Sequence, residues 1–280
     1  MGNLRACSSV AVLALVACGS DHGKVDGGIV IVDAAPDAKV FMDAPPPMFD
    51  FSCMGNTAPT SGAAMITLSG TVRQVSINGT NPDIAPLQGA TVDACNAATA
   101  TCTGMNKYGT DTSDAAGDFS IGPFATMSLP VNGYVVASAT GTRTSYVYPA
   151  SPFIADQANI PVLTFSPQVI SALALINICT QNDAANGMLA IAITDCASMP
   201  INDTPNLMLS IKQNNTEVTG TTVLDLGTLE PMAAGTYLVC NVPENATTSV
   251  GATYKGMALR AHDVKVVKGT TTTTLLRPGY

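Results

Sequence analysis

The stretch Ser113-Asp114-Ala115-Ala116-Gly117-Asp118-Phe119-Ser120-Ile121 decides the fold. An Asp followed three residues later by Gly is turn chemistry. The Asp114 side chain caps the turn, Gly117 takes the left-handed conformation that closes it, and Phe119 points inward as a strand begins. The stretch also recurs: Ala115-Ala116-Gly117-Asp118-Phe119-Ser120-Ile121 answers to Ala233-Ala234-Gly235-Thr236-Tyr237-Leu238-Val239, an offset of 118. Around it Pro86-Leu87 answers to Pro200-Ile201 (offset 114), Leu129-Pro130 to Val242-Pro243 (113) and Gly141 to Gly256 (115). Offsets that differ by a few residues are what loop-length changes leave between duplicated domains.

Outward from the turn the chain reads as short alternating runs bounded by Gly, Pro, Asn and Asp. Examples are Ile66 to Val72, Ala90 to Ala94 and Phe119 to Ile121, the signature of a β-sandwich or barrel. Between the copies, Ser166-Pro167-Gln168-Val169-Ile170-Ser171-Ala172-Leu173-Ala174-Leu175-Ile176 offers a Ser cap, Pro at the first helical position and apolar residues at helical spacing, hence one connecting helix. Leu68-Ser69-Gly70-Thr71-Val72, then Pro86-Leu87-Gln88-Gly89-Ala90-Thr91-Val92, the Ser113–Ile121 stretch and Leu129-Pro130 together resemble the carboxypeptidase regulatory-like domain. Its pattern runs G-x-V, P-L-x-G-A-x-V, T-D-x-x-G-x-F and L-P-x-G-x-Y. Ser113 stands where the family has Thr, and Gly133-Tyr134 keeps the last pair at a looser spacing. The likeness covers residues 66 to about 165 and implies a transthyretin-like sandwich; the second copy lacks the Asp-bearing hairpin and leans on the repeat.

The expected fold is therefore all-β: two tandem transthyretin-like (immunoglobulin-like Greek-key) sandwiches, 62–165 and 187–280, joined by a helical linker over 166–186. A disordered tether over 18–61 precedes them, with Asp21, Asp26, Asp33, Asp37, Asp43 and Asp50 spread among Pro, Ala and Gly, too little apolar surface to offset ordering entropy. Within it, Ile29 to Val32 offers only a short alternative strand.

Residues 1–17 read as a lipoprotein signal peptide. Arg5 is followed by an apolar run from Val10 to Ala17, too short to span a bilayer, ending in Leu15-Val16-Ala17-Cys18. Small residues before Cys make Cys18 the expected lipidation site, whereas Cys7 has no apolar run ahead of it and Ala6 spoils a myristoylation motif at Gly2. Gly19 is not the Asp of the common inner-membrane retention signal, so the expected place is the bacterial outer membrane or cell surface, reached through the lipid.

Composition narrows the chemistry. The 280 residues carry 12 basic and 20 acidic side chains, so phosphate backbones are repelled and no nucleic-acid partner is expected. Only two His occur, His22 in the tether and His262, and there is no Trp. A Ser-His-Asp triad would have to use His262, whose Arg260-Ala261-His262-Asp263-Val264 context reads more simply as strand alternation. Asp111, Ser113, Asp114 and Asp118 supply oxygens for calcium but read first as turn caps, and no cofactor or metal is expected.

Beyond Cys7 and Cys18, six cysteines in an exported chain point to disulfides. Cys95 and Cys102 flank a short loop; Cys196 and Cys240 each end a predicted strand; Cys53 with Cys179 is left by elimination. Tyr146 and Tyr148 alternate onto one strand face with Arg143 nearby, a weak candidate for ligand contact that competes with ordinary packing. The functional expectation is a non-enzymatic, lipid-anchored envelope protein whose modules bind or assemble with a protein or polysaccharide partner. The alternatives are a carbohydrate-binding surface lipoprotein and an undetected hydrolase.

Overall fold

Strand β1, Met65–Asn78, organises the first half of the chain in a computed structural model that describes residues 49–78, 81–99, 101–175, 178–228 and 233–280. Along one edge of β1 lie the antiparallel strands β2 (Asn81–Pro86) and β5 (Asp118–Ala125), and along the other the parallel β8 (Gln157–Phe165). Facing this sheet are β3 (Thr91–Asn96), β4 (Lys107–Thr112), β6 (Gly133–Ser138) and β7 (Ser145–Tyr148) in the order β7-β6-β3-β4. Alternation does the sorting. In β5, Phe119, Ile121 and Phe124 are buried while their neighbours are exposed, as a sheet with one covered face requires.

The second half repeats that plan. β9 (Asn186–Ile193) takes the place of β1, pairing antiparallel with β13 (Thr236–Pro243) and parallel with β17 (Thr271–Leu276). β12 (Thr222–Asp225) flanks β13. A second sheet holds β10 (Leu207–Gln213), β11 (Thr216–Glu217), β14 (Asn245–Tyr254), β15 (Met257–Ala258) and β16 (His262–Val266). The equivalence reaches individual hydrogen bonds. Val72 N–H donates to Gly117 O at 2.8 Å and Leu87 N–H to Val72 O at 2.9 Å; Ile193 N–H donates to Gly235 O at 2.8 Å and Ile201 N–H to Ile193 O at 2.9 Å. Both glycines are left-handed, with φ of +81° and +72°. The repeated turn thus holds the same place in both copies.

The two tandem sandwiches are fused and not strung as separate beads. β17 pairs in parallel with β7, Thr271 opposite Ser145 through Thr274 opposite Tyr148, so the inner sheets merge into one eight-stranded sheet, β12-β13-β9-β17-β7-β6-β3-β4. One face of this sheet, carrying Tyr134, Leu189, Ile191 and Val239, packs on Val250, Ala252 and Val264 of the second outer sheet. On the opposite face Val92, Ala94, Val135 and Ala137 meet Ile66, Leu68, Val72 and Ile121 of the first outer sheet. The rest of that face is covered by helix α1, Pro167–Leu175, whose Val169, Ile170 and Leu173 pack with Met188, Leu238 and Cys240. Pro167 opens the helix as read, but the buried Ser166 hydroxyl makes no capping hydrogen bond. The linker over 166–186 is in this respect a layer of the core, since its apolar stripe is buried.

β8 and β17 occupy equivalent places, yet only β17 recruits a neighbour sheet. Pro161 and the left-handed Asn159 (φ +60°) interrupt β8, devices that blunt an edge strand because they remove a donor and break the register.

The tether needs correction at its end. Residues 1–48, with the signal, Cys18, His22 and the alternative strand Ile29–Val32, lie outside the described residues. Residues 49–61 are not disordered: Phe49 and Phe51 both pack on Tyr254, with ring centroids 5.6 Å away in each case. Asp50 N–H donates to the Asp195 carboxylate at 2.8 Å, and Cys53 is bonded to Cys196. Two aromatic anchors and a covalent bond offset the ordering entropy that a count of Pro and Asp left unopposed.

Candidate functional site

The seam between the modules gathers most of the chemistry-bearing side chains, and it begins with the merged sheet. Because strand side chains alternate, Tyr134 of β6 and Tyr146 and Tyr148 of β7 emerge on the face covered by the second outer sheet. Tyr134 stacks on Tyr148 at 4.8 Å and lies 5.9 Å from Tyr146. Burial, with Tyr146 close by, pushes the Tyr134 hydroxyl up to about 12, and burial raises Tyr148 further still. Lys265 Nζ sits 5.9 Å from the Tyr146 ring centroid. Tyr146 and Tyr148 do share a strand face, but the second module has taken it. The exposed row that the alternation suggested is instead mostly junction core, with Tyr148 only 6% exposed where it borders the cleft between the modules.

Arg143 is corrected in the same way. It is buried, with one guanidinium nitrogen on the Asp183 carboxylate and another 3.0 Å from Thr270 O, and its backbone N–H donates to Phe165 O at 2.9 Å. An arginine from the first module thus clasps the linker at Asp183 and the second module at Thr270, which adds to the strand pairing a charge-assisted tie.

His262, on β16, faces the strand that makes the seam. Its Nε2 lies 3.1 Å from Leu275 O and 2.9 Å from Thr274 Oγ1. A carbonyl only accepts, so Nε2 carries the ring proton. Burial, the largest cause, depresses the ring to about 4, opposed by the Leu275 hydrogen bond. The sign follows: between pH 6.5 and about 4 the unfolded chain binds a proton that the fold refuses, so stability falls as pH falls through that window. The full loss is about 3 kcal/mol. His262→Gln is expected to flatten the slope over that window relative to the wild type in urea titrations, the carboxylates common to both cancelling; parallel slopes would refute the assignment.

Beside His262 a cleft of about 300 Å³ opens between the modules. Tyr148, Pro149 and Pro152 line it from one side and Arg260, His262 and Asp263 from the other. Arg260 is positioned by its neighbours: its N–H donates to Arg277 O at 3.1 Å, and its guanidinium lies 3.9 Å from the Tyr280 ring centroid. Sequence reading passed over Arg260, since nothing local shows that Tyr280 stacks on it. It also missed Asp195, almost fully buried, whose two oxygens accept from Asp50 N–H at 2.8 Å and Met199 N–H at 2.7 Å.

Of the hairpin acids only Asp114 lies in the turn, Asp111 standing on β4 and Asp118 at the start of β5. Asp114 accepts from Ala116 N–H at 2.8 Å and Asp118 N–H at 2.9 Å, and Asp111 from Thr112 and Ser120 at 2.8 and 2.6 Å. The Ser113 hydroxyl donates to Leu87 O at 2.6 Å and accepts from Ala90 N–H at 2.9 Å. Oxygens spent on backbone N–H groups in this way are poorly placed to converge on a cation.

Among the described residues the six cysteines form three disulfides: Cys95–Cys102, Cys53–Cys196 and Cys179–Cys240. The pairings Cys196–Cys240 and Cys53–Cys179 are corrected. Thr236 of β13 lies opposite Ala192 of β9, and from that point antiparallel strands carry Cys240 and Cys196 in opposite directions. At about 3.3 Å per residue they stand far beyond the reach of a disulfide. Cys240 instead faces the helix layer, where the chain leaving α1 brings Cys179, and Cys196 meets the strap at Cys53.

No family model matches this chain, and no curated protein matches it. Similar solved structures include the Bacillus anthracis TIE protein, at 11% identity and a TM-score of 0.24, with 76% of this chain covered and 34% of that one, so this chain spans about a third of its length. The shaft pilin spaA from Lactobacillus rhamnosus GG matches at 11% identity and 0.24, covering 77% and 98%. The minor pilin GBS52 of Streptococcus agalactiae matches at 10% identity and 0.23, covering 75% and 95%. At such scores the strand order, and not these neighbours, carries the fold.

Proposed function

We propose that this protein is a lipid-anchored bacterial envelope protein, held at the outer membrane or cell surface through Cys18, whose fused sandwiches act as a non-catalytic binding or assembly module. The anchoring part is supported by sequence, the Leu15-Val16-Ala17-Cys18 run behind a short apolar segment. The observation that carries the binding part is the seam. Two modules tied by β7–β17 pairing, an arginine clasp and a strap disulfide make a stiff body that holds a cleft in fixed shape.

The hydrolase alternative has little to stand on. A hydroxyl nucleophile needs an accessible oxygen and a base able to take its proton. The hydroxyl at His262 belongs to Thr274, which is 1% exposed, and the ring nitrogen it meets already carries a proton given to Leu275 O. The carbohydrate reading loses its Tyr146–Tyr148 row to the junction. The likeness to carboxypeptidase regulatory-like domains is retained as a proposal of kinship, supported by the Asp114–Gly117 turn.

Fractionation tests the proposal. Wild-type protein is expected in the detergent phase, and surface-restricted proximity labelling of intact cells is expected to give a reproducible set of neighbours. Cys18→Ser should move the protein to the aqueous phase and abolish that set. Continued partitioning of Cys18→Ser with membranes would defeat the anchoring claim.

A further inference from the structure

The cleft between the modules has the composition of a binding site for a particular class of ligand. Among the described residues five basic side chains are neutralised by carboxylates: Lys107, Arg143, Lys212, Lys255 and Lys268. Arg260, which lines the cleft, is not among them. The Tyr280 ring holds its guanidinium plane, and its Nε–H is inaccessible to solvent and has no hydrogen-bond partner. A guanidinium fixed by an aromatic ring rather than by an acid keeps its planar fork available, and that fork matches a carboxylate with two parallel hydrogen bonds.

The rest of the lining limits the ligand further. Asp263 also lines the cleft and makes no ion pair to Arg260, so its negative charge close by sets repulsion against a purely anionic ligand beside the attraction of Arg260. A ligand that also carries hydroxyl or ammonium donors satisfies both groups. Pro149 and Pro152 give an apolar wall for its carbon skeleton, and Asn132 a neutral amide that both donates and accepts. The volume, about 300 Å³, lies at the small end of ligand sites and takes one ring or two residues.

We propose that the inter-module cleft binds a small ligand bearing a carboxylate beside hydrogen-bond donors, the chemistry shared by a sugar acid and a free dipeptide. Arg260 takes the carboxylate, Asp263 the donors, and the modules must stay fused for the two sides to face each other. The site deepens the reading of the protein as a binding module and rests on it.

Calorimetric titration of the full mature chain in detergent micelles tests the proposal, with glucuronate, alanyl-alanine, glucose and acetate as probes. Saturable binding is expected for glucuronate or for alanyl-alanine, whichever source is right, at least about tenfold tighter than for glucose. Arg260→Gln should weaken it about tenfold or more, while Asp263→Asn should weaken the donor-bearing ligand and leave acetate unchanged. Arg260→Lys keeps the charge and loses the fork, so it should bind measurably more weakly than wild type even if the Gln variant does not fold. No saturable binding of either acid by the wild type, or equal binding by a folded Arg260 variant, overturns the site. Either failure leaves the anchoring proposal standing, because Cys18→Ser fractionation decides that separately.

Discussion

Thr273→Pro is expected to be the most damaging single substitution in the second module and to weaken both modules together. Thr271 N–H donates to Thr144 O at 3.0 Å, across the seam. In a parallel ladder the donor to a given neighbour recurs every second residue, so Thr273 N–H is directed to β7 as well. Proline deletes that donor in a strand paired on both sides, β9 on one and β7 on the other, where no edge can accommodate the ring. The expected cost is about 3 kcal/mol or more. Near-UV dichroism of Tyr134, Tyr146 and Tyr148 should fall with the first module's signal, because their cover comes from the second. Pro161 makes the natural contrast: in β8, the equivalent strand, a proline is tolerated because, among the described residues, only β1 pairs with it.

The second large effect concerns the repeated turn. Gly117→Ala would place a Cβ 2.4 Å from Val72 O at a φ of +81°, and Gly235→Ala one 2.9 Å from Pro200 Cβ and 3.0 Å from Ile193 O at +72°. Both contacts are with atoms that cannot swing away, so the backbone must move and strain the paired hydrogen bonds of Val72 and Ile193. Gly117→Ala is expected to cost about 3–4 kcal/mol and Gly235→Ala about 2 kcal/mol, the left-handed penalty plus the clash. Gly141→Ala and Gly256→Ala, at +79° and +81° with open space around them, should lose only about 1 kcal/mol each. Shifts in urea midpoint at constant slope read the series, and a Gly117 variant no worse than the Gly141 variant would contradict the account.

What the sequence revealed is what is local. A glycine turn leading into a strand is specified by its own few residues, so Ala115-Ala116-Gly117 and Ala233-Ala234-Gly235 could be matched by comparison of the chain with itself, although only the first carries the capping Asp. The merging of the sheets left no such mark. Thr271-Thr272-Thr273-Thr274 reads as solvated strand, yet Thr271 and Thr272 are fully buried and Thr274 nearly so. Two of the three hydroxyls are absorbed by neighbouring groups, Thr272 donating to Lys265 O at 2.7 Å and Thr274 meeting His262, while that of Thr271 has no partner. A β-branched residue whose polar atom finds a partner is a good core residue for a central strand, and only the tertiary partner reveals it. The same reason hid the fate of Tyr146 and Tyr148: alternation told which face they share, not that another module covers it. Phe49-Asp50-Phe51 was legible in principle, since two aromatics two residues apart are costly in a solvated spacer.

The account stands on one feature, the β7–β17 seam that turns two modules into one body. Native-state hydrogen exchange of the wild-type protein with its disulfides intact tests it most directly. The amide protons of Thr271 and Thr273 are expected to exchange only through global unfolding, at the same rate as the slowest amides in β1 and β9. Exchange of those two amides through a lower-energy opening, while β1 and β9 stay protected, would mean that the modules part while each remains folded, and would contradict the account.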